Sequence, residues 1–243
     1  MTGPGASATV PAVRRRLSLA LALVAALAVA GEEPLPPSLK GGEKLAALLQ
    51  RVGQAQRETK TLEAGFEQRR VSRLLAEPSV TSGHFYFRAP DQVRWEYLAP
   101  RKMTVLISGG VAITYRPAEK RAERIEVGRM QRKVFRLMGA AEPLDALRSY
   151  FSFTLRDPGD GASYTLLLRP VASQLKKRLA EVGVEIDRTT FLPVALSLTE
   201  TDGDSTSYAF SGVKRNQPLA DELFTLTLPP DVAVVNLKLH AGE

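Results

Sequence analysis

Side chains able to make or break bonds are few and scattered in this 243-residue chain. It has two histidines, His84 and His240, and no cysteine. A thiolate nucleophile, a thiolate metal site and a disulfide framework are therefore excluded. His84 falls in a strand-like stretch and His240 near the C-terminus, so they offer no pair to hold a metal or activate a serine. Asp157 with Asp160, and Asp202 with Asp204, are paired acids. Each pair lies in a glycine-containing turn, where aspartate serves to hydrogen-bond its own backbone. Neither pair has the further acids a calcium loop needs, and no carboxylate pair is singled out for glycosidase chemistry. Gly109-Gly110 reads as a hairpin turn, not a phosphate cradle. These residues nominate no catalytic centre, no metal and no cofactor. The chain reads as a binding protein, with an exported hydrolase as the minority alternative.

The residue types that do recur in a pattern are aromatic. In the stretch 82–100, Phe85 and Phe87 alternate with His84, Tyr86 and Arg88; after a turn at Ala89-Pro90-Asp91-Gln92, Val93, Trp95 and Tyr97 alternate with Arg94 and Glu96. Pro90 fixes its own φ and keeps Ala89 out of the helical region, which favours the reversal. The spacing predicts a hairpin carrying five large apolar side chains on one side, including the single Trp of the chain. Such a surface is either sealed core or a wall for an apolar ligand.

Other elements must position that hairpin. Leu45, Leu48, Leu49, Val52 and Ala55 predict an amphipathic helix over residues 43–58, packing its stripe on a sheet. From Thr61 onward, ten or eleven short segments of β character follow, the last over residues 225–228. They predict a meandering antiparallel sheet that must curl or close. Two short helices, over residues 130–138 and 144–150, interrupt the strands.

The N-terminus speaks to compartment. Arg14-Arg15-Arg16, an apolar run over residues 17–29 and Ala28-Val29-Ala30 form the pattern of a cleaved Sec-type signal peptide. The expected organisation is a signal peptide over residues 1–30, a linker over 31–42, one domain over 43–235 and a tail over 236–243. Without the three leader arginines the balance is 30 basic to 26 acidic residues, net +4. Basic side chains alternate with acids, as at Arg121, Glu123, Arg124 and Glu126, so no nucleic-acid surface is expected.

Between Leu45 and Val235 the chain resembles the periplasmic outer-membrane lipoprotein carriers of LolA type. The resemblance rests on Phe66-Glu67-Gln68 and on Ser82-Gly83-x-Phe-x-Phe-Arg-x-Pro90 running into Arg94-Trp95-Glu96-Tyr97 and Pro100. It continues through Ser108-Gly109-Gly110 and Tyr115-Arg116-Pro117, then Leu223-Phe224 and Pro229-Pro230-Asp231-Val232. It implies a mainly β fold: a single curved antiparallel sheet forming an incomplete β-barrel, with about three short helices covering its concave face. It also implies a monomeric periplasmic chaperone that takes lipidated proteins from an ATP-driven inner-membrane exporter to an outer-membrane acceptor.

On this reading Phe66, Phe85, Phe87, Val93, Trp95 and Tyr97 line the acyl cavity, with Leu137 and Met138 on the covering segment. A glutamate at Val93 is then expected to abolish cargo retention without altering the melt. Two positions depart from the family pattern. Ala89 stands where an arginine linked to helix closure and transfer is usual, leaving Arg88 as its candidate replacement, and Gly109-Gly110 replaces the usual Asp-Gly. The same fold is also compatible with a lipid-binding sensor or a carrier of free lipid or glycolipid.

Overall fold

The structure is a computed structural model and describes residues 33–74, 76–126, 147–157, 159 and 161–237. The helix expected over residues 130–138, and with it Leu137 and Met138, lies outside the described residues, as does most of the one expected over 144–150.

Helix α1 (Gly41–Glu58) starts two residues earlier than its apolar spacing suggests. Leu48, Leu49, Val52 and Ala55 form its buried stripe. Three groups donate to its C-terminal carbonyls. Thr59 Oγ1 donates to Ala55 O at 2.7 Å, Arg215 Nη2 to the same oxygen at 3.1 Å, and Asn216 Nδ2 to Glu58 O at 3.0 Å.

Twelve strands follow: β1 (Thr61–Val71), β2 (Ser79–Arg88), β3 (Gln92–Ala99), β4 (Met103–Ser108), β5 (Val111–Arg116), β6 (Arg121–Glu126), β7 (Phe151–Arg156), β8 (Ser163–Pro170), β9 (Leu179–Asp187), β10 (Pro193–Glu200), β11 (Ser205–Arg215) and β12 (Ala233–Leu237). A four-residue helix, α2 (Ser173–Lys176), links β8 to β9. The strands form one sheet in the order β12-β6-β5-β4-β3-β2-β1-β11-β10-β9-β8-β7. Its end strands do not pair with each other, so the barrel is incomplete. Two helices, not three, stand among the described residues.

Every pairing is antiparallel except β12 with β6, which is parallel. The meander predicted an antiparallel partner for each strand. The last strand instead arrives from β11, on the far side of β1, and enters beside β6 in β6's own direction. The strand expected over residues 225–228 is not formed; a 3-10 turn, Asp221–Phe224, precedes an extended segment there. Between β4 and β5, Gly109 and Gly110 both have positive φ (57° and 81°). That is the conformation of a type I′ hairpin turn, and a Gly-Gly pair adopts it without steric cost.

One face of the sheet curls around α1. A single apolar cluster joins α1 to side chains of β1–β4 and of β7–β10, among them Phe85, Phe87, Ile107, Leu166, Val184 and Ile186. Burying each such side chain contributes roughly 1.5–3 kcal/mol. Leu35, in the predicted linker, joins this cluster, and its N–H donates to Tyr164 Oη at 2.9 Å.

On the opposite, outer face, β2 and β3 contact the chain's own C-terminal segment. Because β11 and β12 lie on opposite sides of six intervening strands, residues 216–232 have to cross the sheet. Arg94 Nη1 donates to Leu223 O at 3.1 Å and to Thr225 O at 3.4 Å. Lys120 Nζ pairs with Asp231 at 2.8 Å just before β12 begins.

Candidate functional site

The predicted hairpin forms as β2 and β3, with Phe85 opposite Trp95, Phe87 opposite Val93 and Gly83 opposite Tyr97. The pairing of β1 with β2 brings Leu62 beside Phe87, Ala64 beside Phe85 and Phe66 beside Gly83. Cross-strand neighbours share a face, so Phe66, Phe85, Phe87, Val93, Trp95 and Tyr97 all lie on the inner face. The first five are buried and Tyr97 is half-buried.

Two further aromatic residues, missed from the sequence, complete the group. Strand β11 pairs with β1, setting Phe210 opposite Phe66 and Tyr208 opposite Gln68. The resulting cluster is continuous. Ring centroids are 4.9 Å apart for Phe66 and Trp95, 5.1 Å for Phe66 and Tyr97, and 4.7 Å for Phe85 and Trp95. Trp95 lies 5.3 Å from Tyr208 and 6.0 Å from Phe210. Tyr208 and Phe210 alternate along their strand as inner-face residues should, but only the long-range partnership of β1 with β11 places them here.

The cluster is graded. Phe85, Val93 and Phe87 are sealed beneath α1's side of the sheet, whereas Tyr97, Tyr208 and Phe210 are only half-buried. The phenols of Tyr97 and Tyr208 are neighbours. Burial, followed by the neighbouring Tyr208, pushes the Tyr97 phenol well above its ordinary range, and burial raises Tyr208. Both phenols stay neutral, so this end of the inner face presents polarity without charge. Beside them, Gln68 faces Thr81 across β1 and β2, and Gln68 Oε1 and Thr81 Oγ1 are buried without hydrogen-bond partners.

Arg88 stands elsewhere. Since Phe87 points inward, Arg88 points to the outer face. Its guanidinium there bonds Gln92 Oε1 at 2.7 Å, pairs with Asp221 and lies 4.3 Å from the Phe224 ring centroid. It clamps the crossing C-terminal segment, on the opposite side of the sheet from the aromatic cluster.

Asp157 also does more than its turn requires. It accepts from Gly159 N at 3.0 Å, as a turn aspartate would, but its carboxylate is buried and ion-paired to both Lys44 of α1 and Arg188. Burial alone would raise its pKa; the bonds from Lys44 and Arg188 outweigh this and hold it at about 2. Arg188 in turn lies over the ring of Tyr164 at 4.2 Å. Asp157 thus fastens the N-terminal half of α1 to the sheet.

An open sheet curled around one helix, with an aromatic inner face, can bind an apolar guest. The family model described as outer membrane lipoprotein carrier protein LolA matches residues 57–227. This chain belongs to the LolA family. Curated relatives named outer-membrane lipoprotein carrier protein include one from Pseudomonas putida, 24% identical over 92% of this chain and 98% of its own length. Another, from Methylococcus capsulatus, is 25% identical over 72% of this chain and 81% of its own length.

Two solved structures share the fold of this LolA-family chain. An uncharacterised conserved protein from Thermus thermophilus has a TM-score of 0.50 at 12% identity, covering 79% of this chain and 99% of that one. MucB has a TM-score of 0.50 at 16% identity, covering 80% of this chain and 66% of the longer MucB chain. No helix among the described residues is long and apolar enough to cross a membrane.

Proposed function

We propose that the protein is a periplasmic chaperone that holds the acyl chains of lipoproteins against the inner face of its sheet and carries them from the inner to the outer membrane. The leader over residues 1–30 directs export. An ATP-driven inner-membrane exporter supplies the cargo and an outer-membrane acceptor receives it. The observation that carries the reading is the aromatic cluster, placed on the inner face of a sheet whose edges do not close. Family membership supports the choice of cargo.

Each methylene removed from water contributes about 0.8 kcal/mol, so ten methylenes contribute roughly 8 kcal/mol. A lipidated protein cannot cross an aqueous gap with that surface exposed. Tyr97, Tyr208 and Phe210 form the accessible margin of the cluster, where a chain first makes contact. Phe66, Phe85, Phe87, Val93 and Trp95 form the deeper wall, which the chain reaches as α1 shifts outward. Binding by this route needs apolar area and a movable cover, and no covalent step.

Trp95, the single tryptophan of the chain, reports on this site directly. Titration with a palmitoylated peptide is expected to shift its emission saturably. Saturable binding that leaves the emission unchanged would place the ligand elsewhere and sink the site. Native mass spectrometry of envelope-purified protein identifies the cargo: an adduct with the mass of a lipidated protein supports the carrier, and a free lipid or glycolipid overturns that choice of cargo.

A further inference from the structure

Five of the eight exposed large apolar side chains among the described residues stand at one end of the sheet: Val71, Leu74, Val80, Leu98 and Val171. The strand register puts them together. Val71 closes β1 opposite Ser205, where β11 begins. Ala99 closes β3 opposite Ser82 of β2, and Glu200 closes β10 opposite Leu179, where β9 begins. The loops over residues 72–78, 100–102, 171–178 and 201–204 therefore share this end. Neighbouring loops are bonded to each other: Arg73 N donates to Asp204 Oδ1 at 3.1 Å, and Thr201 Oγ1 to Lys177 O at 3.2 Å. Tyr97 and Tyr208 lie just inside the strand ends Ala99 and Ser205, so the half-buried margin of the aromatic cluster faces the same loops.

The charge of this end matches its apolar residues. Its four loops carry six basic side chains, Arg73, Arg101, Lys102, Lys176, Lys177 and Arg178, all exposed, against three acids. The turns at the other end, over residues 89–91, 109–110, 157–162 and 188–192, carry three aspartates and one arginine. A single exposed valine or leucine is ordinary. Five gathered at one end, with Leu74 at 94% exposure, mark a contact surface. A protein partner would need a surface of matching shape, whereas here the apolar side chains stand singly on separate loops with long, flexible cations between them. A fluid interface accepts that arrangement: leucine and valine enter the acyl boundary while lysine and arginine reach anionic headgroups.

We infer that these loops dock the protein on an anionic phospholipid bilayer, with the margin of the aromatic cluster turned to the membrane. The inference deepens the acyl-carrier reading, on which it rests, by naming the surface across which cargo passes. An acyl chain then moves between bilayer and inner face without crossing water.

Vesicle flotation tests it, with phosphatidylcholine vesicles made with and without phosphatidylglycerol. The wild-type protein is expected to float only with the anionic vesicles, and raised salt should release it. Leu74→Glu, and separately Lys176→Glu with Lys177→Glu, should each weaken that binding about tenfold. Both variants should keep the wild-type melting temperature and the wild-type affinity for a soluble palmitoylated peptide read by Trp95. Leu237→Glu, at an exposed site on β12 away from these loops, should bind vesicles as the wild type does. No flotation with anionic vesicles, equal flotation with both vesicle types, or wild-type binding by Leu74→Glu would each overturn the assignment. Self-association that Leu74→Glu abolishes, without vesicle binding, would give the surface to a second copy of this chain instead. If the wild type binds the peptide but no vesicle, this inference fails alone; if it binds anionic vesicles but no peptide, the carrier reading fails.

Discussion

The ring of Phe66 lies over Gly83. A Cβ built on Gly83 would stand 2.9 Å from Phe66 Cε1 and 1.8 Å from the carbonyl oxygen of Glu96. The glycine of the central motif is thus a site of close approach on two sides, by a ring of the inner face and by the neighbouring strand at the irregularity between Ser82 and Gly83. Gly83→Ala is expected to cost more than about 3 kcal/mol, because rigid backbone must move to admit the methyl group. Urea denaturation followed by circular dichroism measures it. A midpoint within experimental error of wild type would show that β3 shifts freely there.

Depth within the aromatic cluster decides which substitutions separate binding from folding. Val93 is 1% exposed in the shared core, so a glutamate there would be a buried, unpaired charge costing several kcal/mol. The intact melt expected from the sequence for that variant does not follow from its burial. Phe210, half-buried at the margin, is the cleaner probe. Phe210→Ala should weaken acyl binding about tenfold while costing about 1 kcal/mol of stability. Parallel ligand titration and thermal melts read both. Wild-type affinity in this variant would remove β11 from the site.

What could be read from the sequence is what depends on near neighbours. The alternation of Phe85 and Phe87 with Trp95 and Tyr97 fixes both the hairpin and its inner face, and the 3.6-residue spacing of Leu45 through Ala55 fixes α1. What could not be read depends on partners far along the chain. Tyr208 enters the cluster through a strand pairing some 140 residues apart (Gln68 to Tyr208). The parallel entry of β12 follows from the route of residues 216–232 over the outer face, for which no local spacing codes. Asp157 looks like any turn aspartate until Lys44 and Arg188 are brought to it.

Those two cations give Asp157 a pH signature. Its folded pKa, about 2, lies below the ordinary 3.8. A depressed carboxylate contributes stability that is complete above the unfolded value and is lost as pH falls through the folded one. The contribution of the α1 fastening should therefore decline between about 3.8 and about 2. Asp157→Asn should cost about 3 kcal/mol at neutral pH by leaving Lys44 and Arg188 without their partner, and should flatten this part of the acid limb. Thermal melts across that range compare the two proteins. An unchanged acid limb in the variant would assign the acid sensitivity to other carboxylates.

Arg88 allows its two assignments to be told apart. As the stand-in for the family arginine missing at Ala89, it would govern cargo transfer. In the structure it reaches Asp221 and the Phe224 ring on the outer face. Asp221 is exposed, so that ion pair contributes little, and the stacking over Phe224, a buried ring, contributes more. Arg88→Ala is expected to cost about 1 kcal/mol and to speed amide exchange over residues 221–225, leaving acyl affinity at the wild-type value. Hydrogen exchange with mass spectrometry and the Trp95 titration supply the two readouts. Slower ligand release or altered affinity, with exchange over 221–225 unchanged, would return Arg88 to the transfer step, acting through the sheet from its outer face.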